Sequence, residues 1–141
     1  MKGATELPFV LDASVALAWC FEDESTLDTD RVLERLAEDA AVTPSLWELE
    51  VVNVLLLAER HGRITESQTA RFIALLTQLP IHVDSAGPDM EAVLATGRHH
   101  RLTAYDAAYL VLAEREGIPL ATLDAKLGAA AQVAGVPVLG S

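Results

Sequence analysis

Cysteine is nearly absent. Cys20 is the only one, so no internal disulfide can form, and its place in an apolar helical stretch makes it a core filler suited to a reducing compartment. Basic residues are also scarce, 10 against 21 acids, for a formal net charge of −11. That balance excludes a generally positive surface for nucleic acid and leaves local patches, or acids neutralised by a cation, as the routes to phosphate. No apolar run is long enough to span a membrane, since the longest, Leu49 to Ala58, is broken by Glu50 and Asn53. The opening Met1 to Glu6 lacks the apolar core and cleavage site of a signal peptide, which predicts a cytoplasmic protein. Zinc-ligand spacing is missing too, because His61, His82, His99 and His100 fall outside any usual pattern. Neither internal repeats nor low-complexity segments occur.

With 141 residues there is room for one domain, residues 1–141, and for a core that buries roughly two-thirds of the unfolded surface. An apolar share of 51% excludes disorder and the fibrous classes. Short apolar runs alternate with helical periodicity along the chain. Pro8 to Leu11 reads as a buried strand, and Ser14 caps a helix through Val15–Phe21, followed by the acidic loop Glu22-Asp23-Glu24. Ser25 or Thr26 starts a second helix ending near Asp39, and Ala40–Thr43 is a strand stopped by Pro44. A third helix runs from Ser45 through Arg60, with Gly62 beyond it. The capping-box pair Thr65 and Gln68 opens a fourth helix stopped by Pro80, and Ile81–Val83 is a minimal strand. Gly87-Pro88 turns into a fifth helix that frays around Gly97. After the basic knot Arg98-His99-His100-Arg101, Thr103 caps a sixth helix through Glu116, closed by Gly117. Pro119–Thr122 is the fourth strand, Ala125–Ala134 the last helix, and Val136–Leu139 an edge strand that tolerates its Pro137. Strands alternating with helices predict an α/β sandwich around a parallel sheet, whose ligands bind beyond the carboxyl ends of the strands.

Four carboxylates carry the functional reading. Asp12 and Asp124 each lie just past an apolar strand, on that rim, and each is also a good helix N-cap. Glu48 is explained by a capping box with Ser45, whereas Glu50 has Leu46, Trp47, Asn53 and Val54 for helical neighbours. A carboxylate in such apolar company needs a partner or a proton, and Asn53 is placed to orient it. Asp106 stands three residues after Thr103, which is again capping spacing. Tyr105, Ala108, Tyr109 and Leu112 form the buried stripe of that helix, with Tyr109 read as a core aromatic, and Trp19 and Trp47 read as packing residues. If the four acids converge they require a counter-charge, and hard oxygen donors select Mg²⁺ or Mn²⁺. Such an ion activates water and stabilises phosphoryl transfer, so phosphate-ester hydrolysis is the chemistry expected.

Four blocks of sequence, in order, resemble the PIN-domain ribonucleases, and among them the VapC-type toxins of toxin–antitoxin pairs. They are Val10-Leu11-Asp12-Ala13-Ser14, the helical block Leu46 to Leu55, Leu102 to Leu110, and Leu120-Ala121-Thr122-Leu123-Asp124. The resemblance implies a three-layer α/β/α sandwich with a five-stranded parallel sheet in order 3-2-1-4-5, which sets Asp12 beside Asp124. It implies that Asp12, Glu50, Asp106 and Asp124 hold Mg²⁺ or Mn²⁺. Ser14 and Thr122 would be accessory hydroxyls orienting carboxylates or metal-bound water. The implied activity is endoribonucleolytic cleavage of structured RNA, such as a tRNA or ribosomal loop, leaving 5′-phosphate and 3′-hydroxyl ends. A small cognate antitoxin and a homodimer are the implied partners.

The acidic balance makes Arg98 and Arg101 the expected phosphate contacts, against a solvated helix end as the plainer reading. Two rivals remain on the sequence alone. One is a catalytically inactive PIN-like module that binds RNA or protein. The other, a phosphotransfer domain of the phosphatase or receiver type, ranks below it, because Asp12 is followed by Ala13-Ser14 and Lys126 lies inside a helix.

Overall fold

The computed structural model describes residues 8–140. The lead-in Met1 to Glu6, from which the cytoplasmic expectation was drawn, lies outside the described residues. Five parallel strands form one sheet: β1 (Phe9–Leu11), β2 (Ala41–Thr43), β3 (Ile81–Val83), β4 (Leu120–Ala121) and β5 (Val138–Leu139). Their order is β3-β2-β1-β4-β5, the arrangement implied by the resemblance. Around the sheet lie α1 (Ala13–Cys20), α2 (Leu27–Arg35), α3 (Leu46–Arg60), α4 (Glu66–Gln78), α5 (Met90–His100), α6 (Ala104–Glu116) and α7 (Ala125–Val133), with a 3₁₀ turn at Glu22–Glu24. No helix among the described residues is long and apolar enough to cross a membrane.

The central strand is the deepest. Phe9, Val10 and Leu11 are fully buried, as an apolar run covered on both faces must be. Val10 pairs with Leu120 and Leu11 with Ala121 on one side, while Phe9 and Val10 pair with Ala41 and Val42 on the other. That register puts Asp12 and Thr122, one residue past β1 and β4, next to each other. The core continues through Leu17, Trp47, Leu55, Tyr109, Leu110 and Leu127, so α1, α3, α6 and α7 each send their apolar face to the same centre. At roughly 25 cal/mol per Å² of apolar area, burying one such leucine contributes about 2 kcal/mol. Asp12 therefore stands at the end of the most deeply buried strand.

Several element ends differ from the sequence reading. Helix α1 begins at Ala13, so Ser14 lies inside its first turn and does not cap it. Ser45 sits at the start of α3 already in helical conformation, its hydroxyl bonding no first-turn amide, because Trp47 N–H donates to the Pro44 carbonyl and the turn closes one residue early. The Ser45–Glu48 capping box is therefore not formed. Helix α2 stops at Arg35, whose Nε meets Asp39 at 2.7 Å across the turn that follows. The Thr65–Gln68 capping box does form. Helix α5 runs past Gly97 to His100 and closes on Arg101 in the left-handed region at φ 56°. Gly97 instead serves close approach: a Cβ there would meet the Leu102 carbonyl at 3.2 Å and Ala107 Cβ at 3.9 Å, where α5 crosses α6. Arg98, His99 and His100 thus form the last turn of α5, where cations suit the helix dipole.

Candidate active site

Asp12 ends the central strand and is almost wholly buried. Its backbone N–H donates to the Ala121 carbonyl at 3.0 Å, which locks the end of β1 to β4. Although it occupies the N-cap position of α1, its carboxylate bonds no helix amide. Oδ2 accepts instead from Thr122 Oγ1 at 2.7 Å and from Ser14 Oγ at 2.7 Å. Thr122 Oγ1 in turn accepts from Asp124 N–H at 3.0 Å, and Ser14 Oγ accepts from Leu123 N–H at 3.0 Å. Two hydroxyls therefore stitch the β1–α1 turn to the β4–α7 turn through one carboxylate oxygen. The Ser14 backbone N–H also bears on this carboxylate and favours its charged form.

Asp124 caps α7, its Oδ1 accepting from Leu127 N–H at 2.8 Å. Cap and rim position hold together for this residue. Asp106 lies in the first turn of α6, where Thr103 performs the capping, accepting from Asp106 N–H at 3.2 Å. The Asp106 carboxylate itself takes no hydrogen bond among the described residues, so capping does not occupy it. Glu50, half-buried on α3, accepts a short hydrogen bond from the hydroxyl of fully buried Tyr109 on α6.

The electrostatics tie the four acids into one cluster. Burial pushes the carboxyls of Asp12, Glu50 and Asp106 above the ordinary range. Thr122 and Ser14 oppose that rise at Asp12, and Tyr109 opposes it at Glu50. Neighbouring charge adds to it: Glu50 feels Asp12 and Asp106, Asp106 feels Asp124 and Asp12, and Asp12 feels Asp124. Each acid thus acts on at least two others, and in water at neutral pH all four cannot remain charged at low cost. Tyr109 is held strongly in its protonated, donating form by burial and by Glu50.

The donor set is all oxygen, with free acceptor atoms on Asp106, and this chemistry fits a hard divalent cation. The side chains are gathered without being preassembled. Among the described residues no three His, Cys, Asp or Glu side chains already stand at the spacing of ligands to one ion.

Other sequence-predicted residues fall differently. Asn53 is exposed and makes no hydrogen bond with Glu50; Tyr109, read as core packing, does the orienting. The signal was present in the spacing of Tyr109 from Asp106, one turn apart on one helix, but nothing in the sequence joins α6 to α3. Tyr105 is not part of the buried stripe. It is 64% exposed and lines a groove of about 710 Å³ between α5 and α6, together with Met90, Leu94 and Arg98. None of the four acids lines that groove. Lys126, dismissed as helical, lies in the exposed first turn of α7, close enough for its charge to act on Asp106.

A family model described as "PIN domain" matches residues 9–133. The chain belongs to the PIN-domain family. This PIN domain is 30% identical over 123 residues to Ribonuclease VapC3 of Pyrobaculum aerophilum, covering 86% of this chain and 92% of the relative. It is also 30% identical over 124 residues to Ribonuclease VapC1 of Mycobacterium tuberculosis, covering 77% of this chain and 91% of that protein. Among solved structures, PAE2754 from Pyrobaculum aerophilum superposes with a TM-score of 0.72 at 25% identity, over 95% of this chain and 92% of the other. A toxin–antitoxin complex from Klebsiella pneumoniae shares the fold, with a TM-score of 0.54 at 18% identity over 85% of this chain and 89% of that one. The VapC-type PIN resemblance read from the four sequence blocks is thereby shown, as is the fold.

Proposed function

We propose that this PIN domain is a metal-dependent endoribonuclease and the toxin of a toxin–antitoxin pair. The observation that carries the reading is the approach of four acids from separate chain segments, Asp12, Glu50, Asp106 and Asp124, near enough for their charges to bear on one another at the rim of the sheet. The relatives named as VapC ribonucleases support the substrate class. A small antitoxin is the proposed partner, in keeping with the complex whose fold this chain shares, and a homodimer is the proposed assembly.

In this reading the four carboxylates hold Mg²⁺ or Mn²⁺. When bound, the ion would supply charge stabilisation to in-line phosphoryl transfer and lower the pKa of the attacking water. The chain's own residues do the rest. Thr122 and Ser14 pin Oδ2 of Asp12, which fixes the orientation of the carboxylate. Tyr109 favours the charged form of Glu50 against its desolvation and aims the carboxylate. A free carboxylate oxygen of the cluster accepts the proton that water sheds as its oxygen bonds to phosphorus. The bond to O3′ breaks, O3′ gains a proton from solvent, and the products are a 5′-phosphate and a 3′-hydroxyl.

Purified protein incubated with bulk tRNA is expected to cleave it in Mn²⁺ or Mg²⁺ and not in EDTA, and Asp12→Ala is expected to be inactive. Metal-independent cleavage, or equal cleavage by Asp12→Ala, would overturn the reading. The non-catalytic alternative draws on one observation, that Asp124 already caps α7 while the acids stand apart. It requires that Mn²⁺ leave the melting temperature unchanged, whereas a nuclease site requires a rise that Asp12→Asn abolishes.

A further inference from the structure

An acid cluster that cleaves RNA faces a difficulty of its own making. Four carboxylates at the end of a chain with net charge −11 repel the phosphate that must lie among them. Some cation of the protein has to draw the backbone in. Four of the eight arginines are committed to acids away from the site: Arg31 to Asp28, Arg35 to Asp39, Arg63 to Asp23 and Glu24, and Arg115 to Asp84 and Glu116. Arg98, one of the two expected from the sequence, lines the apolar groove between α5 and α6.

Lys126 is differently placed. It is the second residue of α7, two positions after Asp124, whose carboxylate caps that helix. It is exposed, and among the described residues it makes no ion pair within 4.0 Å, so its ammonium is not consumed by the acids beside it. Helix α7 packs on α6, which carries Asp106 in its first turn. A flexible four-carbon stem ending in a compact charge suits a single phosphate oxygen on the open side of the cluster.

We propose that Lys126 is the phosphate contact of the site, holding a backbone phosphate of the RNA over Asp106 and Asp124. The proposal rests on the ribonuclease reading for its substrate. The placement agrees with it: Lys126 stands in the exposed first turn of α7, two residues after Asp124 and on the helix that packs against α6 and its Asp106.

The test separates phosphate binding from simple charge balance. Fluorescently labelled bulk tRNA is titrated in EDTA, across a range of salt, with wild type, Lys126→Gln, Lys126→Arg and Arg71→Gln. Arg71, exposed on α4, removes the same charge away from the site. Lys126→Gln is expected to weaken binding about ten-fold at low salt and to lower the magnitude of the log–log salt slope by about 0.7 to 0.9, one phosphate contact. Lys126→Arg should restore both, and Arg71→Gln should match wild type. In cleavage assays with Mn²⁺ the Gln variant should lose through KM more than through kcat. Equal slopes for wild type and Lys126→Gln would overturn the proposal, as would equal losses for Lys126→Gln and Arg71→Gln. A Gln variant whose Mn²⁺ affinity alone changes would make Lys126 a charge-balancing residue, against the proposal. Wild type that binds tRNA through Lys126 but never cleaves it would overturn the ribonuclease reading and leave the contact standing, whereas no binding at any salt would sink both.

Discussion

Replacing Tyr109 with Phe removes one hydroxyl from a fully buried ring and leaves its packing intact. The Glu50 carboxylate then loses the donor that opposes its desolvation, with Asp12 and Asp106 still raising it. A hydrogen bond to a charged group contributes about 1.5 to 3 kcal/mol, and half-burial of Glu50 argues for the lower end, about 1.5 kcal/mol. The Glu50 carboxyl should climb further above the ordinary range. Two readouts follow. Mn²⁺ affinity, measured from the metal-induced rise in melting temperature, should fall about ten-fold, the equivalent of about 1.4 kcal/mol, and the acid limb of the pH–rate profile for tRNA cleavage should move toward alkaline pH. Both come from one cause, so they should move together. Unchanged Mn²⁺ affinity with an unmoved acid limb would show that Tyr109 only fills space, and the orienting role assigned to it would be wrong.

Other outcomes follow from the same groups. A carboxyl whose folded pKa lies above its unfolded value contributes stability when protonated, and that contribution is lost as pH rises through the folded pKa. Asp12, Glu50 and Asp106 are of this kind, so in EDTA the melting temperature should fall as pH rises above the ordinary carboxyl values of 3.8 and 4.5. Asp84, held low by Arg115, works in the opposite sense, only around and below its ordinary value of 3.8, and cannot mask the trend. Asp12→Asn should flatten that fall and raise the melting temperature in EDTA, because the amide oxygen still accepts from Thr122 and Ser14 without a buried charge. A lower melting temperature for Asp12→Asn in EDTA would contradict the charge-repulsion account. Thr122→Val strips one donor from Asp12 and leaves Asp124 N–H without its acceptor, at a cost of about 2 kcal/mol in urea unfolding. Arg98→Ala combined with Arg101→Ala is expected to weaken tRNA binding and flatten its salt dependence, and an unchanged salt titration would remove that pair from the RNA surface.

How much of this was legible depended on whether the information was local. Asp12 at the end of Phe9-Val10-Leu11 could be read from burial and strand length, and Thr65 with Gln68 from capping spacing, because each motif is contained within a few residues. The pairing of β1 with β4 could not, since strand order is a long-range property, and it entered only through resemblance to a family. Glu50 shows the division well. Its apolar neighbours in α3 announced a carboxylate in need of a partner, yet the helix could offer only Asn53, and the true donor comes from 59 residues further along. Tyr105 failed for a related reason: helical period places it with Tyr109, but the α5–α6 crossing at Gly97 leaves that end of the stripe outside the core. Ser45 was misread because the preceding Pro44 closes the turn itself, which periodicity does not see.

The two oxygens of Asp12 differ, Oδ2 taking both hydroxyl donors and Oδ1 taking neither. An asparagine there keeps both hydroxyl donors only with its amide oxygen toward Thr122 and Ser14. The amino group then takes the place of Oδ1. The substitution usually made to silence a carboxylate would here reverse the polarity of the surface that meets the RNA, setting two N–H donors where an anion stood. Asp12→Asn is accordingly expected to grip tRNA in EDTA more tightly than wild type, and to serve as a trap for the transcript this protein cuts.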